Sequence, residues 1–133
     1  MSISATEESL ARYQAARDLM SGEKYSQAVQ LFNQSLNVRV HFKTLELIGE
    51  CYLKMGKSKQ AIVPLAAASM LNDGVRSSAL LARALFEECD YHGAMRAAKI
   101  AMSRSPDNKL AKTILQDSQA RILTEVSTLE NGE

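Results

Sequence analysis

Leu45-Glu46-Leu47-Ile48-Gly49-Glu50-Cys51-Tyr52-Leu53-Lys54-Met55-Gly56, followed by Ala61, Ile62, Leu65 and Ala68, is the stretch that decides the fold. Leu45, Ile48, Gly49 and Tyr52 fall at i, i+3, i+4 and i+7, the spacing of one helical face. Ala61, Ile62, Leu65 and Ala68 mark out a second face of the same kind. Between them stands Met55-Gly56-Lys57, with a glycine where the first helix must stop. A helix commonly ends on a left-handed residue, and glycine adopts that conformation without a Cβ penalty. The stretch therefore reads as helix, tight turn, helix.

Moving outward in both directions, the unit recurs. Ala28, Ala61 and Ala94 are spaced by 33 residues. The same step links Leu19, Tyr52 and Leu85, and it links Ala16, Gly49 and Ala82. It also joins Ala15, Ile48 and Leu81; Val29, Ile62 and Met95; and Tyr25, Ser58 and Tyr91. Small residues stay small and bulky apolar ones mostly stay bulky. The first unit breaks at Ser21-Gly22-Glu23 and the third at Glu88-Cys89-Asp90, the latter without glycine. Ala28, Ala61 and Ala94 lie where two antiparallel helices cross, and alanine there lets the axes approach to about 8–10 Å. Gly49 costs about 1 kcal/mol of helix propensity relative to alanine, which close approach of a neighbouring helix offsets.

After the third unit, Pro106-Asp107-Asn108 forms a helix-start signal. Leu110, Ile114, Leu115, Ile122, Leu123, Val126 and Leu129 then recur at helical spacing. They predict one long helix over about 107–129, capping the apolar face that a terminal repeat would otherwise expose. The expected architecture is all-α, with about seven helices in one domain over 1–133. Its repeats run over about 9–41, 42–74 and 75–107. Met1–Thr6 and Glu130–Glu133 are expected to fray.

The bulk numbers exclude several classes. A chain of 133 residues buries a core without disulfides or metals. Its net charge of +1 gives no electrostatic case for nucleic acid or an anionic membrane. No run approaches the roughly 20 apolar residues of a membrane span. The polar, acidic start is unlike a signal peptide, so a cytoplasmic location is expected. Cys51 and Cys89 are too few for a disulfide framework and are expected as buried or half-buried free thiols, in keeping with a reducing compartment.

Catalytic chemistry finds little support. His41 and His92 are the two histidines, and no set of residues has metal-ligand spacing. Gly56-Lys57-Ser58 lacks the upstream glycine and strand of a phosphate loop and reads as the helix turn. Glu46 and Glu50 share a helix face at i and i+4 but have no nucleophile or base beside them. They are expected on a solvated or peptide-binding face. The chain is expected not to be an enzyme and to need no cofactor or metal.

The middle unit resembles the tetratricopeptide repeat, W-x-x-L-G-x-x-Y…A-x-x-x-F…P, with Leu45 in place of the tryptophan. Gly22, Tyr25, Ala28, Phe32 and Leu36 carry the resemblance in the first unit. Tyr91, Ala94, Ala101, Met102 and Pro106 carry it in the third. The departures are the 33-residue step, where the family's usual repeat is 34, and Arg12 and Ser78 in the tryptophan column. Ankyrin repeats have the shorter period but require a T-P-L-H-x-A turn that no unit contains.

The resemblance implies a right-handed αα-superhelix whose concave groove is lined by the first helix of each pair. The family's groove columns fall on Leu10, Tyr13, Arg17 and Met20, then on Lys43, Glu46, Glu50, Leu53 and Lys54, then on Arg76, Ala79, Arg83 and Phe86. Such a surface, apolar with both charges, suits a protein or peptide partner. The clamp that some of these domains use for acidic chaperone tails maps to Tyr13, Arg17, Leu47, Arg76 and Leu80. Its asparagines, one lysine and its arginine are missing, so that partner is disfavoured. The expected role is a protein-interaction adaptor. The alternatives are a type III secretion-like chaperone for an exported protein and a module that homodimerises through its C-terminal helix.

Overall fold

The computed structural model describes residues 4–131. Seven helices follow one another: α1 (Ala5–Ser21), α2 (Tyr25–Val38), α3 (Phe42–Lys54), α4 (Ser58–Leu71), α5 (Val75–Glu87), α6 (Tyr91–Arg104) and α7 (Lys109–Glu130). No strand occurs among the described residues, and no helix there is long and apolar enough to cross a membrane. The helices fall into two compact units, Met1–Asn72 and Asp73–Glu133.

The three tight turns are one structure repeated. Glu23, Gly56 and Cys89 hold positive φ of 61°, 72° and 62°. In the first turn the amides of Glu23 and Lys24 donate to the carbonyls of Met20 and Leu19, both at 2.9 Å. Gly56 and Lys57 donate to Leu53 and Tyr52, and Cys89 and Asp90 to Phe86 and Leu85. These paired bonds satisfy the last carbonyls of each helix around a left-handed residue. The first turn falls at the expected break, Ser21-Gly22-Glu23; Gly22 has φ −87°, and Glu23 takes the left-handed position. The hydrogen-bonded column, 23–56–89, is thus in the 33-residue register although only its middle member is glycine.

Helix starts are less uniform. Ser4 caps α1 through its hydroxyl, which accepts from the Glu7 amide at 3.1 Å, with Glu7 and Glu8 in the first turn. Asp90 caps α6 by accepting from Gly93, and Asn108 caps α7 by accepting from Ala111, each at 2.9 Å. Lys24 and Lys57 occupy the same column as Asp90 and provide no side-chain cap. Fraying at Met1–Ile3 and at 132–133 lies outside the described residues. Thr6, also expected to fray, is already in α1, because Ser4 secures its first turn.

In the first unit α1 pairs with α2 and α3 with α4. Ala16, Ala28, Val29, Phe32, Leu47, Ile48 and Cys51 form its core, with Tyr13, Leu19, Met20 and Tyr52 packed around them. Gly49 has the predicted task. A Cβ there would stand 2.3 Å from Cγ and 2.6 Å from Cδ2 of Leu65 on α4, and Leu65 is fully buried. Near the start of α1, Ser9 and Ser35 lock α1 to α2: their hydroxyls lie 2.9 Å apart, and Ser35 donates to the Ser9 carbonyl at 2.8 Å. Pro64 sits inside α4, where it can donate no backbone hydrogen bond.

The second unit is α5, α6 and α7. Its core is mostly alanine: Ala79, Ala82, Ala94, Ala97, Ala98, Ala101 and Ala111, with Ile114. Leu81, Leu85, Phe86, Met102 and Leu115 fill its margin. Alanine faces let the three helices lie close together. Arg104 donates to the Gly74 carbonyl at 2.9 Å and so ties the end of α6 to the start of α5. α7 covers α6 and part of α5 through Ala111, Ile114 and Ser118. Beyond Ser118 no residue of α7 is buried, and Leu123, Val126 and Leu129 are exposed.

Candidate functional site

In the first unit, α1 and α3 flank an open cleft of about 340 Å³. Thr6, Leu10 and Tyr13, one helical turn apart on α1, form one wall. Lys43 and Thr44, in the first turn of α3, form the other, beside the capping residue His41. The hydrogen-bonded Ser9 and Ser35 make a polar base, and Arg39 stands at the edge. The His41 ring accepts from the Lys43 amide at 3.1 Å through Nδ1 and stacks on Phe42.

Several groove residues expected from the sequence lie here or along the same helices. Leu10 is 55% exposed and unencumbered by the core. Tyr13 is half-buried, with its ring 5.9 Å from that of Phe32 at 60°, so the core fixes its orientation. The Arg17 guanidinium lies 6.0 Å from the centre of the Tyr13 ring, an arrangement that holds the cation at the surface. Met20 is half-buried against the core. Lys43 pairs with Glu46 at 2.6 Å. Glu50 is half-buried and Lys54 exposed.

Two expectations on α3 are corrected. Glu46 is only 3% exposed and Leu53 only 7%, so neither is an open groove residue. The Glu46 carboxylate is held by Lys43 rather than solvated. Seven of the thirteen α3 residues are buried: Thr44, Glu46, Leu47, Ile48, Gly49, Cys51 and Leu53. A helix enclosed on most of its sides leaves few columns open to a ligand, and a periodicity argument that assigns one face to the core misses this. Cys51, buried as expected, has its thiol pushed up to about 11 by desolvation, with the Glu50 charge adding to it. Cys89 was expected to be at least half-buried and is exposed, because it sits at the left-handed apex of a turn.

In the second unit Arg76 and Arg83 are exposed, and Arg83 pairs with Glu87 at 3.0 Å. Ala79 belongs to the core and is closed to a ligand. Phe86 is half-buried, edge-on to Tyr91 at 5.4 Å. Among the described residues no three His, Cys, Asp or Glu side chains gather to hold a metal.

Sequence reasoning did not single out Thr6, Ser9, Ser35, Arg39 or Thr44 as lining a cleft. One signal was available: Ser35 stands in the column otherwise held by Ala68 and Ala101, and a hydroxyl in an alanine column asks for a polar partner.

Known structures share this architecture. The tetratricopeptide domain of Sgt2 from Aspergillus fumigatus is 20% identical and superposes with a TM-score of 0.80, over 90% of this chain and 82% of that one. The second such domain of human RPAP3, in complex with an HSP70 peptide, is 16% identical with a TM-score of 0.81, over 87% and 98%. The Yersinia enterocolitica type III secretion chaperone SycD, in complex with a peptide of the translocator YopD, is 15% identical with a TM-score of 0.76, over 84% and 92%. No protein-family model matches the sequence, and neither does any curated protein. The fold is therefore that of a tetratricopeptide-type helical-repeat protein, established by structure at identities too low to carry a function.

Proposed function

We propose that the protein is a protein-interaction adaptor that holds a peptide or helix of a partner on the faces of the first helix of each pair. The observation that carries this reading is the open cleft between α1 and α3, with Leu10 and Tyr13 as an apolar wall, a polar base, and Arg39 at its edge. Leu10, Tyr13, Arg17, Met20, Lys43 and Glu50 would contact the partner in the first unit, and Arg76, Arg83 and Phe86 in the second. Apolar anchors beside charged groups are the usual makings of a peptide-binding surface. Peptides in the RPAP3 and SycD complexes support it by likeness of fold. The SycD likeness also keeps open a chaperone that guards an exported protein.

Partner capture from the native cell tests the reading. Leu10→Asp combined with Arg17→Glu changes two exposed positions and leaves helical content intact, so capture of the specific partner is expected to fall to background. Met70→Asp, on the exposed side of α4, is expected to leave capture unchanged. Unchanged capture by the α1 variant, or loss with the α4 variant, would move the binding surface elsewhere. The identity of the captured protein separates the adaptor from the secretion chaperone.

A second reading rests on α7. Leu123, Val126 and Leu129 expose an apolar strip past the last buried residue of that helix, and such strips favour self-association. Sedimentation with and without residues 119–133 tests it; a monomer in both cases removes it.

A further inference from the structure

We propose that the α1–α3 cleft is a subsite for one acidic side chain of the partner, carried next to an apolar side chain; this rests on the adaptor reading above. The first ground is Thr44. It is 2% exposed and lines the cleft, so a hydroxyl-bearing side chain is fixed in its wall. A hydroxyl can donate to a carboxylate oxygen, and a charge-assisted bond of that kind is stronger than a neutral one.

The second ground is charge. Lys43 is neutralised by Glu46, and Glu8 by Arg12 at 2.7 Å. Arg39 remains at the edge, its guanidinium engaged among the described residues only by a long 3.5 Å bond to the Thr6 hydroxyl. Among the described residues the cleft thus carries one uncompensated positive charge, which matches a carboxylate rather than a dianionic phosphate. The first turn of α3 opens onto the same space, and the positive end of its dipole favours an anion.

The third ground is shape. Leu10 and Tyr13 offer an apolar wall next to the polar end, so the occupant pairs an apolar side chain with the acid. About 340 Å³ lies near the lower limit of ligand pockets, room for a pair of side chains rather than a cofactor. Arg39 and Thr44 stand outside the columns of the acidic-tail clamp named above, so this is a different site.

Amide-resolved NMR titration of the whole chain tests the proposal. The probes are two peptides blocked at both ends, acetyl-Ala-Leu-Asp-Ala-amide and its Asn analogue. The acidic peptide is expected to shift the amides of Leu10, Tyr13, Lys43 and Thr44 and to bind about tenfold more tightly than the analogue, the value of one charge-assisted hydrogen bond. Arg39→Gln, at an exposed position, is expected to remove that preference. Thr44→Val, checked for intact spectral dispersion, is expected to weaken the acidic peptide several-fold. Equal binding of the two peptides, or shifts confined to other helices, would overturn the subsite. So would stronger binding of a phosphoserine peptide, or of an unblocked peptide through its terminal carboxylate. If the peptides fail while the Leu10→Asp, Arg17→Glu variant still loses its partner, the subsite falls and the adaptor reading stands. Peptide binding with unchanged partner capture would do the reverse.

Discussion

Replacing Gly49 by alanine sets two known effects against each other inside one helix pair. Alanine improves helix propensity in α3 by about 1 kcal/mol. The new Cβ, however, would lie 2.3 Å from Cγ of Leu65 and 2.6 Å from its Cδ2, well inside contact distance. Cγ is the branch point of the side chain rather than a mobile tip, and Leu65 is fully buried, so α3 and α4 must separate or Leu65 must leave its rotamer. Overpacking of this kind costs roughly 1–3 kcal/mol. Since the contact is so short, the upper part of that range applies, and the net loss is about 1–2 kcal/mol. Urea unfolding followed by far-UV circular dichroism reads this as a lower midpoint at unchanged slope. A cycle sharpens the test. Leu65→Ala alone should cost about 2–5 kcal/mol, and the double variant about 2–3 kcal/mol less than the sum, because the added methyl enters the space that Leu65 vacates and the overpacking is relieved. A stabilised Gly49→Ala variant, or additive losses in the cycle, would refute the packing argument.

Other predictions follow the repeat register. Lys57→Asp transplants the α6 cap onto α4, where the carboxylate can accept from the Gln60 amide; a gain of about 1 kcal/mol in urea unfolding is expected, and no gain would show that the backbone at 57 does not admit the cap. Gly56→Ala should lose about 1 kcal/mol or more and Glu23→Gly should gain up to about that much, since both residues are left-handed; equal signs would contradict the shared turn geometry. Ser118→Ala removes a buried hydroxyl without a partner and should stabilise the chain by about 1 kcal/mol in the same assay, while a loss would mean that the hydroxyl is satisfied. For Cys51 the folded thiol titrates near 11 against an ordinary 9.0. The unfolded chain thus releases its proton first, so stability is full below about pH 9 and declines as the pH rises towards 11. A Cys51→Ala variant should show a shallower decline over that window, and identical slopes would sink the assignment.

Much of the fold was legible because small residues at helix crossings are demanded by geometry and recur in register. Gly49 and the Ala28, Ala61, Ala94 column announced close packing, and the packing is there. The turn at Cys89 was found without a glycine, because the columns on both sides kept their step. The first turn lies at the expected break, Ser21-Gly22-Glu23, but nothing in the sequence says that Glu23 rather than Gly22 is the left-handed residue, since a glycine beside such a position looks like the position itself. The division after Asn72 leaves no compositional trace, because the 33-residue step runs across it unchanged.

The site was less legible than the fold. The resemblance's groove columns do not reveal that α3 is enclosed on most sides, so Glu46 and Leu53, expected in the groove, are buried. Leu10, Tyr13 and Lys43, which the resemblance placed in the groove, line the cleft from α1 and from the start of α3. Thr44 and Arg39 were not, since nothing local to either residue shows that the two helices leave a gap there.

Hydrogen exchange of the protein, alone and with its captured partner, tests the central claim most directly. If the first helix of each pair carries the partner, amides of α1 and of the first turns of α3 gain protection, with α5 following, while α2 and α4 exchange as before. Protection gained on α2 and α4, or on α7 alone, would contradict it.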